Sequence, residues 1–349
     1  MNPLVLSTFL MALGFGTVIT FASSHWVLAW MGLELNSLAI LPLMSQHHHP
    51  RAVEATTKYF LTQAAGAAMV IFAGMSSAWT GGEWGILQMS HPVPLALVVM
   101  GLALKIGLAP VHSWMPEVLQ GVDLRTGLIL STWQKLAPFA LLMQLQTHHT
   151  TTPLLVMGIL SMLVGGWGGH NQTQLRKILA YSSIAHLGWM AIVMQYSPNL
   201  ALLALGMYVV MTSAAFLVLD INRATTINQL AISCTAHPAI TVIIPLIFLS
   251  LAGLPPFTGF MPKWLIIHEL TLQDLLVVPT VAALSALLSL YFYLRVSYTM
   301  AITTPPNHFA NTGSWRFTPA QLTYPLAAFA VVTLALLPLA PEAVAFFIQ

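Results

Sequence analysis

Charge is what this sequence most lacks. Of 349 residues, 11 are Lys or Arg and 9 are Asp or Glu, 6% in all, where a soluble domain carries about 25%. With 57% of residues hydrophobic, the bilayer rather than water is the expected solvent. A formal net charge of +2 is too small for an electrostatic nucleic-acid binder. There is one cysteine, Cys234, which excludes an internal disulfide and a cysteine-ligated cluster and leaves a small membrane-face residue. GxGxxG, GxxxxGK[ST], HExxH and CxxC are all missing, so no nucleotide, flavin, iron–sulfur or metalloprotease motif is present. No Lys or Arg precedes Arg51. That start is neither the basic opening of a secretory signal nor an Arg-rich transit peptide, so the first apolar helix is expected to be retained. The 18 methionines and 10 tryptophans are compatible with an organelle-encoded chain.

What is present is a series of long apolar runs. A transmembrane helix needs about 20 mostly apolar residues, and eleven spans meet that need, at roughly 3–21, 25–44, 57–79, 92–112, 126–144, 153–170, 178–195, 199–219, 237–270, 275–298 and 323–347. The expected fold is therefore an all-α polytopic membrane protein. Threading eleven helices puts Arg51, Lys58, Arg125, Arg176, Lys177, Arg223, Arg295 and Arg316 on the side of the N-terminus, side A, and no Lys or Arg on side B. By the positive-inside rule side A is the cytoplasm or its organelle equivalent, the matrix, with the C-terminus opposite.

The remaining cations, Lys105, Lys135 and Lys263, sit inside apolar segments, as does Glu34. A charge near the bilayer centre costs about 2.5–3.5 kcal/mol, and such residues mark ion or proton paths. Two of these lysines adjoin interruptions. The fourth span reads LALKIGLAPVHSWMPE and the ninth LAGLPPFTGFMPKW. Proline removes a helical hydrogen bond, and irregular backbone at membrane depth is tolerated only where protein or a wet cavity satisfies it. Paired broken helices point to an inverted-repeat transporter. Helices four and nine are an odd five apart and so run oppositely. Two inverted five-helix repeats, about 1–145 and 153–298, followed by a C-terminal helix at about 323–347, account for that spacing. Ordinary proline kinks are the plainer alternative.

Burial disfavours the charged form of lysine, and a carboxylate nearby favours it. A Glu34–Lys105 pair would resolve the cost of both charges and make the lysine a proton switch. Lys135, in STWQKLAPFALL, is similar. Lys263 has the stronger competing explanation, a side chain snorkelling towards side B. His112 lies close to two helical turns beyond Lys105 and His186 lies mid-way in helix seven. Each is a relay candidate or a satisfied interior histidine. The run His47, His48 and His49, and the acids Glu117 and Asp123, read most simply as solvated loop groups on side A, with metal binding by the histidines the weaker option.

The segments SSHWVLAWMGLELNSLAILPLM, HHHPRAVEATTKYFLTQA, LALKIGLAPVHSWMPEVLQG, LILSTWQKLAPFALL, LRKILAYSSIAHLGWM and LAGLPPFTGFMPKW together resemble the subunit 2 family of mitochondrial NADH:ubiquinone oxidoreductase, respiratory complex I, in its animal form. The resemblance covers the whole chain. It implies an antiporter-like membrane-arm subunit with eleven helices where the wider family has fourteen. It also implies proton handling by Glu34, Lys105, Lys135 and Lys263, with His112 and His186 in matching segments. Some antiporter-like relatives carry glutamate where Lys263 stands, which leaves the exit step open. No cofactor is expected on this chain, since FMN, iron–sulfur clusters and ubiquinone belong to other subunits. The implied partners are other membrane-arm and accessory subunits and phospholipids including cardiolipin, with no nucleic acid, in the mitochondrial inner membrane.

The mechanism so implied has redox energy reaching this chain as a shift in charge pairing. Separating Glu34 from Lys105 loosens the lysine's proton, which moves towards Lys135 and Lys263 and leaves on side B, the intermembrane space. Two other function classes compete. One is a cation/proton antiporter acting without redox partners. The other is a membrane-arm spacer that does not pump, in which neutralising the lysines would leave proton stoichiometry intact.

Overall fold

The computed structural model describes residues 2–46, 48–89, 91–145, 148–232, 238–302, 324–339, 341–342 and 345. Cys234, His47, Arg316, most of the 299–322 loop and the far end of the 323–347 span lie outside them. Fifteen α-helices occur among the described residues: α1 Pro3–Ala22, α2 Trp26–Met44, α3 Pro50–Gly81, α4 Pro92–Ile106, α5 Trp114–Gly121, α6 Leu124–Ser131, α7 Trp133–Gln144, α8 His148–Gly168, α9 Leu175–Val193, α10 Pro198–Ile221, α11 Ile227–Ile232, α12 Pro238–Ala252, α13 Phe260–Leu272, α14 Val277–Ile302 and α15 Tyr324–Ala335. No strand occurs among these residues; two isolated bridges, His25–Gly85 and Gln174–Thr226, tie loops together.

Among the described residues six helices, α1, α2, α3, α8, α10 and α14, are long and apolar enough to cross a membrane. Their starts follow from sequence. Proline stands in the first turn of α1, α3, α4 and α10, where its fixed φ suits the helix and its missing N–H costs nothing. Asn2 adds a side-chain cap to Leu4 N at 3.1 Å, and the His49 ring accepts from Arg51 N at 3.2 Å. Outward faces are apolar, with Leu4, Met11, Phe15 and Val18 of α1 exposed, as lipid contact requires. At 32 residues, α3 runs about 48 Å, so its first turns project beyond an apolar layer of about 30 Å.

The chain forms two compact units, residues 1–161 and 162–349, with α8 running from one into the other. In the first unit, α1 packs on α2 and α3 on α4 through small residues. In the second, α12 packs on α14, and α10 packs on α12 and α15.

The structure corrects the expected span map at the third helix, which begins at Pro50 rather than near 57, and within the fifth span. The fifth span, 126–144, is not continuous: it stops at Ser131 and restarts at Trp133 as α6 and α7. No proline or glycine causes this. The Ser131 and Thr132 hydroxyls both donate to Leu128 O, at 3.0 and 2.7 Å, alongside Thr132 N at 3.0 Å. Lys135 N then reaches Thr132 O at 3.4 Å rather than continuing the i−4 ladder. Hydroxyl back-bonding of this kind bends helices.

Candidate functional site

The first expected break lies where proline and glycine place it. Gly107 ends α4 in the left-handed region, at φ 88°, a conformation open to glycine at no steric cost. A helix end leaves carbonyls without intrahelical partners, and here backbone N–H groups at the break and side chains from elsewhere take them. Ala103 O accepts from Gly107 N and Leu108 N, both at 2.9 Å. Trp114 Nε1 donates to Leu104 O at 3.0 Å, and Gln63 Nε2 of α3 donates to Lys105 O at 3.4 Å. Beyond the break Ala109 N donates to Ser161 Oγ at 2.9 Å.

Lys105 stands in the last turn of α4, only 6% exposed. Its Nζ is buried without a hydrogen-bond partner. The expected Glu34–Lys105 ion pair is not formed. Glu34, half-buried on α2, accepts from Ser37 Oγ at 3.1 Å, and its charge reaches Lys105 and Tyr59 through space. The two groups are therefore within electrostatic reach but not in contact. Close packing fixes the lysine's stem: a Cβ at Gly66 would lie 3.1 Å from Lys105 Cγ and 3.1 Å from Gly101 O. Lys135 sits in the first turn of α7, 2% exposed. Its neighbour Gln134 donates to Asn36 O of α2 at 3.1 Å, tying this second break to the Glu34 helix.

In the second unit, α12 ends at Ala252 and Gly253 adopts φ 82°. Lys263, on the first turn of α13, folds back across the break, and its Nζ donates to Ala252 O at 2.8 Å. At 8% exposure it does not snorkel. The ammonium thus caps the negative end of α12. Ser250 Oγ and Thr258 Oγ1, one on each side of the break, both donate to Thr333 O of α15, the former at 2.9 Å. His186 Nδ1 donates to Ser182 O at 2.7 Å, and its ring lies 5.8 Å from that of Tyr208. His186 and Lys263 line one cavity of 20 Å³ with Trp189, Met211 and Ile266, enough for about one water.

His112 is not joined to Lys105. It lies beyond the break, half-buried, with Nδ1 3.2 Å from Pro110 O. Glu117 is not a free loop acid: Lys58 Nζ lies 2.8 Å from Glu117 and 2.8 Å from Glu54. In that projecting part of α3, the hydrogen bond and charge of Lys58 hold the Glu54 carboxyl below its usual value of 4.5. No group of His, Asp and Glu able to hold a metal occurs among the described residues. A cavity of 780 Å³ between Ser23, His25, Trp84 and Gln144 contains none of the expected site residues. Sequence reasoning missed the groups that satisfy the breaks: Gln63, Trp114, Ser161, Ser250, Thr258 and Thr333. Their only local signal is a hydroxyl or amide inside an apolar run.

Comparison with known proteins gives a consistent result. A family described as NADH:quinone oxidoreductase/Mrp antiporter, TM, matches residues 23–289, and one described as NADH dehydrogenase subunit 2 C-terminus matches residues 290–344. NADH-ubiquinone oxidoreductase chain 2 of Carassius auratus is 62% identical over 343 residues, 98% of each chain. That of Tetraodon nigroviridis is 60% identical over 347 residues, 99% of each. Among solved structures, a chain of respiratory complex I from Thermus thermophilus matches at TM-score 0.86 with 27% identity, covering 99% of this chain and 80% of that one. A chain of the Mrp complex from Dietzia sp. matches at TM-score 0.77 with 17% identity, covering 97% and 77%, a likeness of fold alone.

Proposed function

Because the chain belongs to the NADH-ubiquinone oxidoreductase chain 2 family, we propose that its sealed lysines perform the proton step of a membrane-arm subunit of respiratory complex I. It is a proton-translocating subunit. NADH oxidation and ubiquinone reduction, with their FMN and iron–sulfur clusters, take place in partner subunits. Eleven crossings of the mitochondrial inner membrane follow if α4–α5, α6–α7 and α12–α13 each count as one broken span. Then α9 and the 323–347 segment join the six long helices. The N-terminus faces the matrix and the C-terminus the intermembrane space. The two breaks at Gly107 and Gly253 stand at corresponding places of inverted repeats.

The observation that carries the reading is Lys105: an amine sealed from water, without a hydrogen-bond partner, at the point where its helix stops. A negative charge nearby favours the protonated form of such an amine. Glu34 is that charge. A movement of α2 that carries Glu34 away releases the proton, and its return restores it. Lys135 is the next sealed acceptor in the same unit. In the second unit, Lys263 and His186 share a water-sized cavity, through which a single water passes a proton between amine and imidazole. Release on the intermembrane side follows.

The test is Lys105→Met in the assembled complex reconstituted into sealed vesicles, counting protons moved per NADH oxidised. Methionine keeps the volume and removes the titratable group. The expected result is a lower proton count with the complex still assembled. An unchanged count would exclude Lys105 and favour a spacer role.

A further inference from the structure

Arg295 is the one matrix-side cation of α14, and the proton step makes no use of it. Its Nη1 donates to His170 O at 2.7 Å. A guanidinium carries five N–H donors, and the others meet no protein acceptor among the described residues. The sequence of residues 233–237 and 303–323 contains no Asp or Glu either. The free side of Arg295 faces a cavity of 320 Å³ lined by Thr173, Thr226, Asn228 and Thr299. The floor is preformed. Ile227 N donates to Thr173 O at 3.1 Å and Leu175 N to Thr225 O at 3.0 Å, forming the Gln174–Thr226 bridge. A positive fork among hydroxyls and an amide, with no acid, is built for an oxyanion.

A second feature says which oxyanion. Leu284, Leu287, Tyr291, Leu294 and Tyr298 of α14 are exposed at 63, 61, 57, 37 and 66%. Their spacing of three and four residues makes one stripe about 20 Å long, and it ends beside Arg295. Tyr291 and Tyr298 flank the charge, as aromatics do at a membrane–water boundary. Tyr291 is also held against the His170 ring at 4.9 Å. Charge at one end and an apolar track at the other match an amphiphile. A soluble phosphate would have no use for the track.

The geometry assigns this pocket to the phosphate headgroup of an anionic phospholipid of the matrix leaflet, with an acyl chain lying along the α14 stripe.

The experiment uses the assembled complex in phosphatidylcholine vesicles containing phosphatidylglycerol with a photoactivatable group on its acyl chain. After illumination, labelled peptides are mapped. Label on the 284–298 segment is expected with the anionic probe, and much less with the same group on phosphatidylcholine. Asn228→Asp places an isosteric carboxylate in the pocket at an exposed position. It should cut the label about tenfold, as loss of a charge-assisted contact implies. Arg295→Gln should do the same. Asn228→Asp keeps the test valid if loss of the His170 contact harms assembly. Undiminished label in Asn228→Asp would overturn the assignment. Label abolished by excess inorganic phosphate would make the pocket a free-anion site. A stripe that crosslinks to a helix of another subunit instead of to lipid would make it a protein interface.

Discussion

Lys263 and Ala252 lie eleven residues apart in sequence, yet the lysine's Nζ donates to the alanine carbonyl at 2.8 Å across the break that separates their helices. The contact makes one residue serve two purposes: it is the buried amine of the second unit and the cap of α12. Gly253 is the pivot. Its φ of 82° is left-handed, and an added Cβ would lie 2.9 Å from Lys263 Cδ and 3.0 Å from Nζ. Gly253→Ala should therefore cost about 1–2 kcal/mol from backbone strain alone and displace the lysine as well. The expected outcome is reduced proton output with reduced thermal stability of the complex. Lys263→Met should reduce output too, and leave Ala252 O without its donor. A Gly253→Ala complex with normal stability and output would show that the break tolerates another geometry.

In the first unit the corresponding constraint is a close approach between two helices. Gly101 lies so near α3 that an added Cβ would be 2.9 Å from Gly66 O and 3.1 Å from Met69 Cβ. Gly101→Ala should force α3 and α4 apart at a cost of about 1–3 kcal/mol. That shift moves Gln63 away from Lys105 O, already at 3.4 Å. Less assembled complex on native gels, with a lower melting temperature, is the expected result.

The lysines and the two main breaks were legible because their causes are local. Gly107, Pro110, Gly253, Pro255 and Pro256 announce an interrupted helix wherever they occur in an apolar run, and a lysine in such a run has few alternatives. What satisfies the breaks was not legible. Gln63 and Ser161 reach the first one from 42 and 52 residues away, and no local pattern encodes that. The break at Thr132 had a local cause, two consecutive hydroxyls, but Ser and Thr are common in membrane helices and only the geometry shows them sharing Leu128 O. The Glu34–Lys105 relationship was half legible. Sequence placed both charges at depth, while their separation is set by how α2 and α4 pack around α3.

The Lys58 cluster should matter far less than the buried lysines. Lys58 is 43% exposed and its partners Glu54 and Glu117 are 62 and 54% exposed, so water and salt screen the attraction. Lys58→Ala should leave assembly and proton output at neutral pH unchanged. The pH dependence has a defined sign. Lys58 depresses the folded-state value of Glu54, so the contribution is fully present above the unfolded value. It is lost as pH falls through the lower folded one. Stability compared between wild type and Lys58→Ala should therefore converge in acid. Divergence in acid would mean that the pair is not the cause.

The last prediction concerns α15, whose role is otherwise hidden by its position near the end of the chain. Thr333 is fully buried, and its carbonyl lies in the last turn of α15, where helix geometry provides no N–H partner. Ser250 and Thr258 supply two hydroxyls from opposite sides of the α12–α13 break. One carbonyl therefore fixes the separation of the two half-helices, and so the position from which Lys263 reaches Ala252. Removing one hydroxyl leaves the other in place, so Ser250→Ala alone should cost little. Removing both, with Ser250→Ala and Thr258→Val, leaves a buried acceptor unsatisfied at about 1–3 kcal/mol and frees the break. Hydrogen exchange at residues 253–259 should rise in the double variant and stay near wild type in either single one. Proton output should fall with it, since the same movement withdraws Lys263 from Ala252 O. If exchange rises equally in all three variants, each hydroxyl acts alone and Thr333 is not a shared clamp. If it rises in none, the proline-rich 253–259 segment holds its own shape and α15 only covers it.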